Sequence, residues 1–281
     1  MLAPVNKIIK SSVVDGPGNR CAIFFQACNF RCWYCHNPET MHMCLNCGDC
    51  VKTCPAQALR LTEGNVIWDK SKCVDCDTCI RTCKHHASPK ITYMTPEEVM
   101  DEVRTCMPFI TGITTSGGEC TLNKDFLVAL FRLATKEGLT CLIDSNGSQD
   151  FSAPEFKELI ELSDGVMLDI KATDPEIHKE VCGMDNSVVL KNAEYLAGIG
   201  KLPEVRTVCA REHLHNEETV DTVSKMLAPY LDIRDIRYRI IRFRPFGVRE
   251  EYKYLGSPDD DSMEHLKTIA MNNGFKNILL T

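Results

Sequence analysis

The chain has 281 residues, enough for one or two domains with a large core, and its 25% charged and 44% hydrophobic residues are the balance of an ordinary soluble protein. A formal net charge of −7 excludes the basic excess of a general nucleic-acid binder, and no apolar run approaches the roughly 18 to 20 residues that cross a bilayer. The start "MLAPVNKIIKSSVVDGPG" carries no signal-peptide core, so a cytoplasmic, reducing location is expected, where seventeen cysteines point to metal ligation rather than disulfides.

The first strand signal is "RCAIFFQA", residues 20–27. It runs straight into "ACNFRCWYCHNP", three cysteines spaced Cys28-x3-Cys32-x2-Cys35. Structural zinc takes four ligands and an ordinary iron–sulfur cubane four thiolates, so three cysteines leave one metal position open. Next, C-x2-C-x2-C-x3-C occurs twice, as Cys44, Cys47, Cys50, Cys54 and as Cys73, Cys76, Cys79, Cys83. In two-cluster bacterial ferredoxins each such run gives three ligands to its own [4Fe-4S] cluster and the fourth to the other. On that pattern Cys44, Cys47, Cys50 and Cys83 hold one cluster, and Cys73, Cys76, Cys79 and Cys54 the second. Two zinc sites are the alternative. Lys84 stands where the pattern has proline, which affects the turn more than ligation. The scattered Cys21, Cys106, Cys120, Cys141, Cys182 and Cys209 are expected to be small buried hydrophobes.

From residue 95 the chain alternates helical and strand patterns. Thr95-Pro96-Glu97-Glu98 is a capping box with proline at the first helical position, and Val99, Val103 and Cys106 recur on one face. "ITGITTSGG" predicts a strand, followed by Leu127, Leu130, Phe131 and Ala134 at helical spacing. "TCLIDSNG" predicts a strand and turn, with a helix opening at Ser152 to Glu155. "GVMLDIK", "EVRTVCA" and "IRYRIIRF" complete six strands, with helices near 188–199, 216–228 and 259–272. Six βα units give an α/β fold, a partial (β/α)6 TIM-like barrel formed by residues 1–40 and 88–281. An inserted ferredoxin-like two-[4Fe-4S] domain, residues 41–87, interrupts its first unit between strand and helix.

In such barrels chemistry gathers at the C-terminal ends of the strands. Cys28, Cys32 and Cys35 follow the first strand, Gly117-Gly118-Glu119 the second and Asp144-Ser145-Asn146-Gly147 the third; Asp169 and Lys171 end the fourth. Any one of these taken singly is as well explained by a capped turn or a solvated charge.

Together these residues resemble the radical S-adenosylmethionine (SAM) superfamily. "VDGPGNR" upstream and "CHNP" downstream narrow the resemblance to glycyl-radical-enzyme activating proteins, similar to pyruvate formate-lyase activating enzyme, and the two-cluster insert to their YjjW-type members. The resemblance implies an oxidoreductase in which three thiolates hold a [4Fe-4S] cluster whose fourth iron is chelated by SAM. Reductive cleavage of SAM then gives a 5'-deoxyadenosyl radical, which takes a hydrogen from one glycine of a partner glycyl radical enzyme. It implies that Gly117, Gly118 and Glu119 receive the SAM amino group, that Asn37 hydrogen-bonds SAM and that Lys171 reaches its carboxylate. Asp144, the Ser145 carbonyl, Met167 and Asp169 match positions that hold a monovalent cation, for which oxygen ligands suit. Asp15, His36 and Arg206 match positions that grip the partner's glycine loop; a turn cap at Asp15 and a plain ion pair at Arg206 explain those residues equally well. Arg244 stands where many members carry a histidine near the nucleoside, Cys120 is expected to be a packed thiol, and Tyr34 to cover the cluster. Flavodoxin or ferredoxin is the implied reductant, and a monomer is expected.

Two other readings compete. A radical SAM enzyme that modifies a peptide or small molecule could also carry auxiliary clusters, though such members usually carry them after the barrel. A plain electron carrier needs only residues 44–83 and leaves Cys28, Cys32, Cys35, Glu119, Asp169 and Lys171 unexplained.

Overall fold

A computed structural model describes all 281 residues. β1 (Ala3–Ser12) runs antiparallel to β2 (Arg20–Phe25). The excursion that follows holds α1 (Asp49–Thr53), the hairpin β3 (Leu59–Thr62) and β4 (Asn65–Trp68), and α2 (Thr78–Thr82). The chain re-enters at β5 (Thr92–Met94), which pairs with β1, and α3 (Pro96–Arg104) follows. Then come β6 (Gly112–Gly117), α4 (Lys124–Lys136), β7 (Thr140–Ser145), α5 (Lys157–Leu162), β8 (Gly165–Asp169), α6 (Pro175–Cys182), α7 (Ser187–Gly198), β9 (Glu204–Cys209), α8 (Asn216–Leu227), β10 (Arg237–Arg242), α9 (Asp260–Asn272) and β11 (Ile278–Leu280). The sheet order is β11-β10-β9-β8-β7-β6-β2-β1-β5. From β2 to β11 every neighbouring pair is parallel. The two edge strands do not pair with each other, so the sheet is an open, partial barrel. No helix is long and apolar enough to cross a membrane.

All six expected strands and the helices near 188, 216 and 259 are present, and α3 opens on the expected capping box. The sequence reading lacks β1, whose alternation is interrupted by Lys7 and Lys10, and the three-residue strands β5 and β11. It also lacks α6, although the signal was present. Asp174 accepts from the amides of Glu176 (2.8 Å) and Ile177 (2.9 Å), Pro175 takes the first helical position, and Gly183 (φ 79°) ends the helix.

Alternation along the parallel strands sorts the core. Val205, Tyr238 and Ile240 are fully buried; Tyr238 packs against Phe275 and shares a 3.0 Å hydrogen bond with Thr207. The other face is polar: Thr114, Ser116, Asp144, Asp169, Glu204 and Arg206 turn into the barrel and contact one another or their neighbours there. At the N-terminal end Arg20, 2% exposed, braces three strands. Its Nε donates to Thr114 Oγ1 (2.7 Å), Nη2 to the carbonyls of Ile113 (2.6 Å) and Thr140 (3.0 Å), and Nη1 to Thr140 Oγ1 (3.0 Å).

The excursion leaves and returns through adjacent residues: His42 bridges Ala87, and its amide donates to the His86 carbonyl at 3.2 Å. Inside it the same local unit occurs twice. α1 and α2 are each five residues long, each is entered through a residue of positive φ (Gly48 at 80°, Asp77 at 55°), and each ends in an extended cysteine, Cys54 or Cys83. Thr53 and Thr82 join the two helix ends by a 3.0 Å hydroxyl contact. Lys90 ties the second unit to the barrel through Asp77 (2.6 Å) and Asp75 (3.3 Å).

Arg20→Met removes a buried set of charged donors and strands two carbonyl acceptors, so it should cost about 2–4 kcal/mol of stability. A fall in the urea midpoint at unchanged slope measures it, and an unmoved midpoint would show that Arg20 is not a brace.

Candidate active site at the strand ends

The Cys28–Cys35 loop begins where β2 ends, and its backbone is held from two sides. Toward β6, Gly118 N donates to the Phe25 carbonyl (2.9 Å) and Glu119 N to the Ala27 carbonyl (2.8 Å). Both glycines are required by that approach. A Cβ at Gly118 would lie 2.1 Å from the Ala27 carbonyl oxygen, and one at Gly117 (φ 120°) would lie 2.2 Å from Phe25 N. Toward α6, Arg31 N donates to the Cys182 carbonyl (2.8 Å) and Trp33 N to that of Val181 (3.0 Å). The returning limb is fixed by buried Gln26, whose amide donates to the carbonyls of Glu39 (2.7 Å) and His42 (2.6 Å). An aromatic pile covers the outside: Trp33 stacks on His213 (4.9 Å) and on Tyr252 (5.1 Å), and the Arg249 guanidinium lies 4.4 Å over Tyr252 while donating to the Cys32 carbonyl at 3.1 Å.

Cys32 is buried, and Cys28 and Cys35 are partly so. Cys28 Sγ accepts from Phe30 N (3.4 Å) and lies 3.6 Å from Asn146 Nδ2; Cys32 Sγ lies 3.6 Å from Cys182 Sγ. Burial pushes the Cys28 and Cys35 thiols up to about 12, whereas contact with Cys182 brings Cys32 below its ordinary value against the burial penalty. Ligation by the first two therefore requires a metal that displaces their protons. No three His, Cys, Asp or Glu side chains converge on a single ion. Cubane thiolates bind different irons and need no such convergence. Tyr34, expected over the cluster, is 4% exposed with its hydroxyl unpartnered.

Asp144, Asp169, Lys171 and Arg206 meet inside the barrel. Arg206, 8% exposed, donates from Nη1 to Asp144 Oδ1 (2.9 Å) and from Nε to Glu204, and its Nη2 lies 3.2 Å from Met167 Sδ. Burial works against the guanidinium charge, but Asp144 and Glu204 outweigh it and hold its pKa above the ordinary value. Burial raises the Asp144 carboxyl, opposed chiefly by Arg206. Lys171 Nζ pairs with Asp169 Oδ2 at 2.6 Å; Asp169 and Cys32 overcome the burial penalty and raise its pKa. Glu119 is 1% exposed and accepts from Thr121 N (3.1 Å), Thr121 Oγ1 (2.6 Å), Ser145 Oγ (2.9 Å) and Asn146 N (2.7 Å). Its carboxylate thus ties the β6 end to the β7 end. Cys120 is fully buried, with its thiol 3.4 Å from the carbonyls of Thr115 and Asp144.

Asp15 lies at the opposite end of β2, where its carbonyl accepts from Thr114 Oγ1 (2.6 Å) and its carboxylate accepts from Ser12 Oγ. Neighbouring Val14 offers its carbonyl to Arg239 at 3.0 Å, from β10. His36, Asn37 and Arg244 are exposed on the rim; His36 Nε2 lies 3.1 Å from the Arg244 carbonyl. His36 is therefore not brought into direct contact with Asp15 or Arg206. In the excursion one small cavity is lined by Cys54, Cys73, Cys76 and Cys79, and another by Cys44, Cys47, Cys50 and Cys83. Sequence reasoning placed Asn146 at the β7 end without its contact to Cys28, and it missed the site contacts of Cys182 and Glu204.

The sequence model of the Radical SAM superfamily matches residues 22–228. The chain is 27% identical to the pyruvate formate-lyase 1-activating enzyme of Escherichia coli K12, over 98% of both chains. It is 30% identical to the (2S)-3-sulfopropanediol sulfolyase activating enzyme of Bilophila wadsworthia, over 90% of this chain and 88% of that one. The crystal structure of Streptococcus suis SuiB bound to precursor peptide SuiA superposes with a TM-score of 0.59 at 12% identity, over 91% of this chain and 47% of that one, a likeness of fold. The open parallel barrel, the three-cysteine loop at its first strand end and these relatives agree that the chain belongs to the radical SAM superfamily and, within it, to the glycyl-radical-enzyme activating enzymes.

Proposed function

We propose that this enzyme uses SAM to place a radical on one glycine of a partner glycyl radical enzyme, and that residues 41–87 form a ferredoxin-like insert with two auxiliary [4Fe-4S] clusters. The observation that carries the reading is the three-thiol loop, locked to β6 and α6 by backbone hydrogen bonds, at the mouth of a barrel whose lumen holds Asp144, Asp169, Lys171 and Arg206. Soft thiolates suit iron, and donors already address the Cys28 and Cys32 sulfurs. A [4Fe-4S] cluster held by Cys28, Cys32 and Cys35 would supply the one electron needed to cleave SAM to methionine and a 5'-deoxyadenosyl radical, which would take a hydrogen atom from the glycine to give 5'-deoxyadenosine and a glycyl radical.

The chain's own residues bind and orient. Cys28, Cys32 and Cys35 hold the cluster. Lys171 exchanges Asp169 for the SAM carboxylate, and the Gly117–Gly118 backbone with Asn37 takes the rest of its methionyl end. Asp144, Met167 and Arg206 already touch, so the guanidinium supplies in part the positive charge that a monovalent cation at Asp144, Ser145, Met167 and Asp169 would supply. Arg206 from inside the barrel, Asp15 from the connection between β1 and β2 and His36 from the rim address the partner loop, and Arg244 the nucleoside. In the insert, the two four-cysteine cavities combine ligands from both runs, as two clusters with crossed ligation require. Flavodoxin or ferredoxin is the proposed reductant. The relatives activate different enzymes at similar identity, so the partner is named by experiment: anaerobic incubation with candidate enzymes, SAM and reductant, read by electron paramagnetic resonance for a glycine-centred doublet. Release of 5'-deoxyadenosine with no doublet on any candidate favours a different substrate.

Anaerobically reconstituted protein should hold about 12 irons and lose about a third when Cys28, Cys32 and Cys35 are all alanine; stoichiometric zinc would overturn the three-cubane assignment. Lys171→Ala should raise the KM for SAM by about 10- to 100-fold, the value of a charged hydrogen bond, with iron content unchanged. Equal KM values would remove Lys171 from the SAM site. Asp15→Asn should lower the glycyl radical formed per SAM cleaved by about tenfold. It is a cleaner probe than an alanine at Arg206, which would strand two buried carboxylates and cost about 3–5 kcal/mol of stability. An unchanged ratio would assign Asp15 to turn capping alone.

A further inference from the structure

Cys182 ends α6 and is fully buried. The hydrogen bonds from Arg31 N and Trp33 N to the carbonyls of Cys182 and Val181 lay the end of this helix along the cysteine loop. That pairing fixes Cys182 Sγ at 3.6 Å from Cys32 Sγ, within the range of a sulfur hydrogen bond. The contact is one of a set, because Cys28 Sγ also receives donors, from Phe30 N at 3.4 Å and Asn146 Nδ2 at 3.6 Å. Of the six scattered cysteines, Cys182 is the one whose sulfur meets a sulfur of the three-cysteine loop.

Two thiols this close share one donor role between them. A cysteine bound to iron is a thiolate with no proton to give, so with Cys32 ligated the bond runs from the Cys182 S–H to the Cys32 sulfur. We propose that Cys182 is a positioning residue of this enzyme: it donates a hydrogen bond to the Cys32 ligand sulfur and thereby raises the reduction potential of the SAM-binding cluster. The inference rests on the assignment of Cys28, Cys32 and Cys35 as cluster ligands. Reduction adds one electron, and part of the added negative charge falls on the thiolate sulfurs. A proton held against one of them stabilises the reduced state more than the oxidised one. The proton stays on Cys182 in both states. With both sulfurs out of water, solvent does not take over the donor's role.

The test compares full-length, anaerobically reconstituted wild type, Cys182→Ala and Cys182→Ser by potentiometric titration, following the reduced-cluster paramagnetic signal that changes when SAM is added. Iron per chain should be the same in all three. The midpoint of that signal should move to more negative potential in Cys182→Ala and return toward wild type in Cys182→Ser, whose hydroxyl still donates. Equal midpoints in all three would overturn the proposal, as would loss of iron in both variants, which would make Cys182 a ligand or a strut. A wild type with no SAM-responsive signal would overturn the ligand assignment itself, and that result is read before the variants are compared.

Discussion

Three thiols on one irregular loop keep a fixed spacing only if something outside the loop fixes the backbone between them. Here that support comes from main-chain hydrogen bonds on both flanks, to the Gly117–Glu119 turn on one side and to the last carbonyls of α6 on the other. The glycines are needed for closeness: with any side chain at Gly118 the loop and the β6 end could not share their hydrogen bonds. Glu119 then extends the tie to β7, because its buried carboxylate collects donors from Ser145 and Asn146. The first three parallel strand ends and the cysteine loop are thus one hydrogen-bonded unit, and the open edges of the sheet lie away from it.

The polar lumen follows from the same architecture. Alternation on β7, β8 and β9 turns Asp144, Asp169, Glu204 and Arg206 inward, where isolated charges would be prohibitively costly. They survive as pairs: Arg206 with Asp144 and Glu204, and Lys171 with Asp169. Each pair occupies groups that the family resemblance assigns to SAM, a cation or the partner loop. On the proposed assignment, ligand binding would be an exchange of partners among charges that are already neutralised.

Legibility in the sequence followed the range of the interactions. Six of the seven parallel strands were readable because each is a contiguous apolar or alternating run ended by a turn, and the cysteine groups because their ligand spacing is local. β1 was lost to two lysines that break its pattern while still lying on a sheet. The capping signal at Asp174-Pro175 is local and legible in the sequence. Asn146 was legible as part of the β7 end but not as a partner of Cys28, which it reaches across 118 residues of chain, and Cys182, which reaches Cys32 across 150, carries no local mark of that destination. Glu204 is one charge in a strand pattern, and only the pairing of β9 with its neighbours puts it beside Arg206.

The bridge between His42 and Ala87 has a consequence for how such a chain can change over time. Because the detour begins and finishes at touching residues, its length is decoupled from the register of every parallel strand; additional or missing segments alter only the entropy of closing a loop, which grows slowly with size. The barrel can therefore acquire, trade or discard what lies between those two residues while its mouth keeps the same shape.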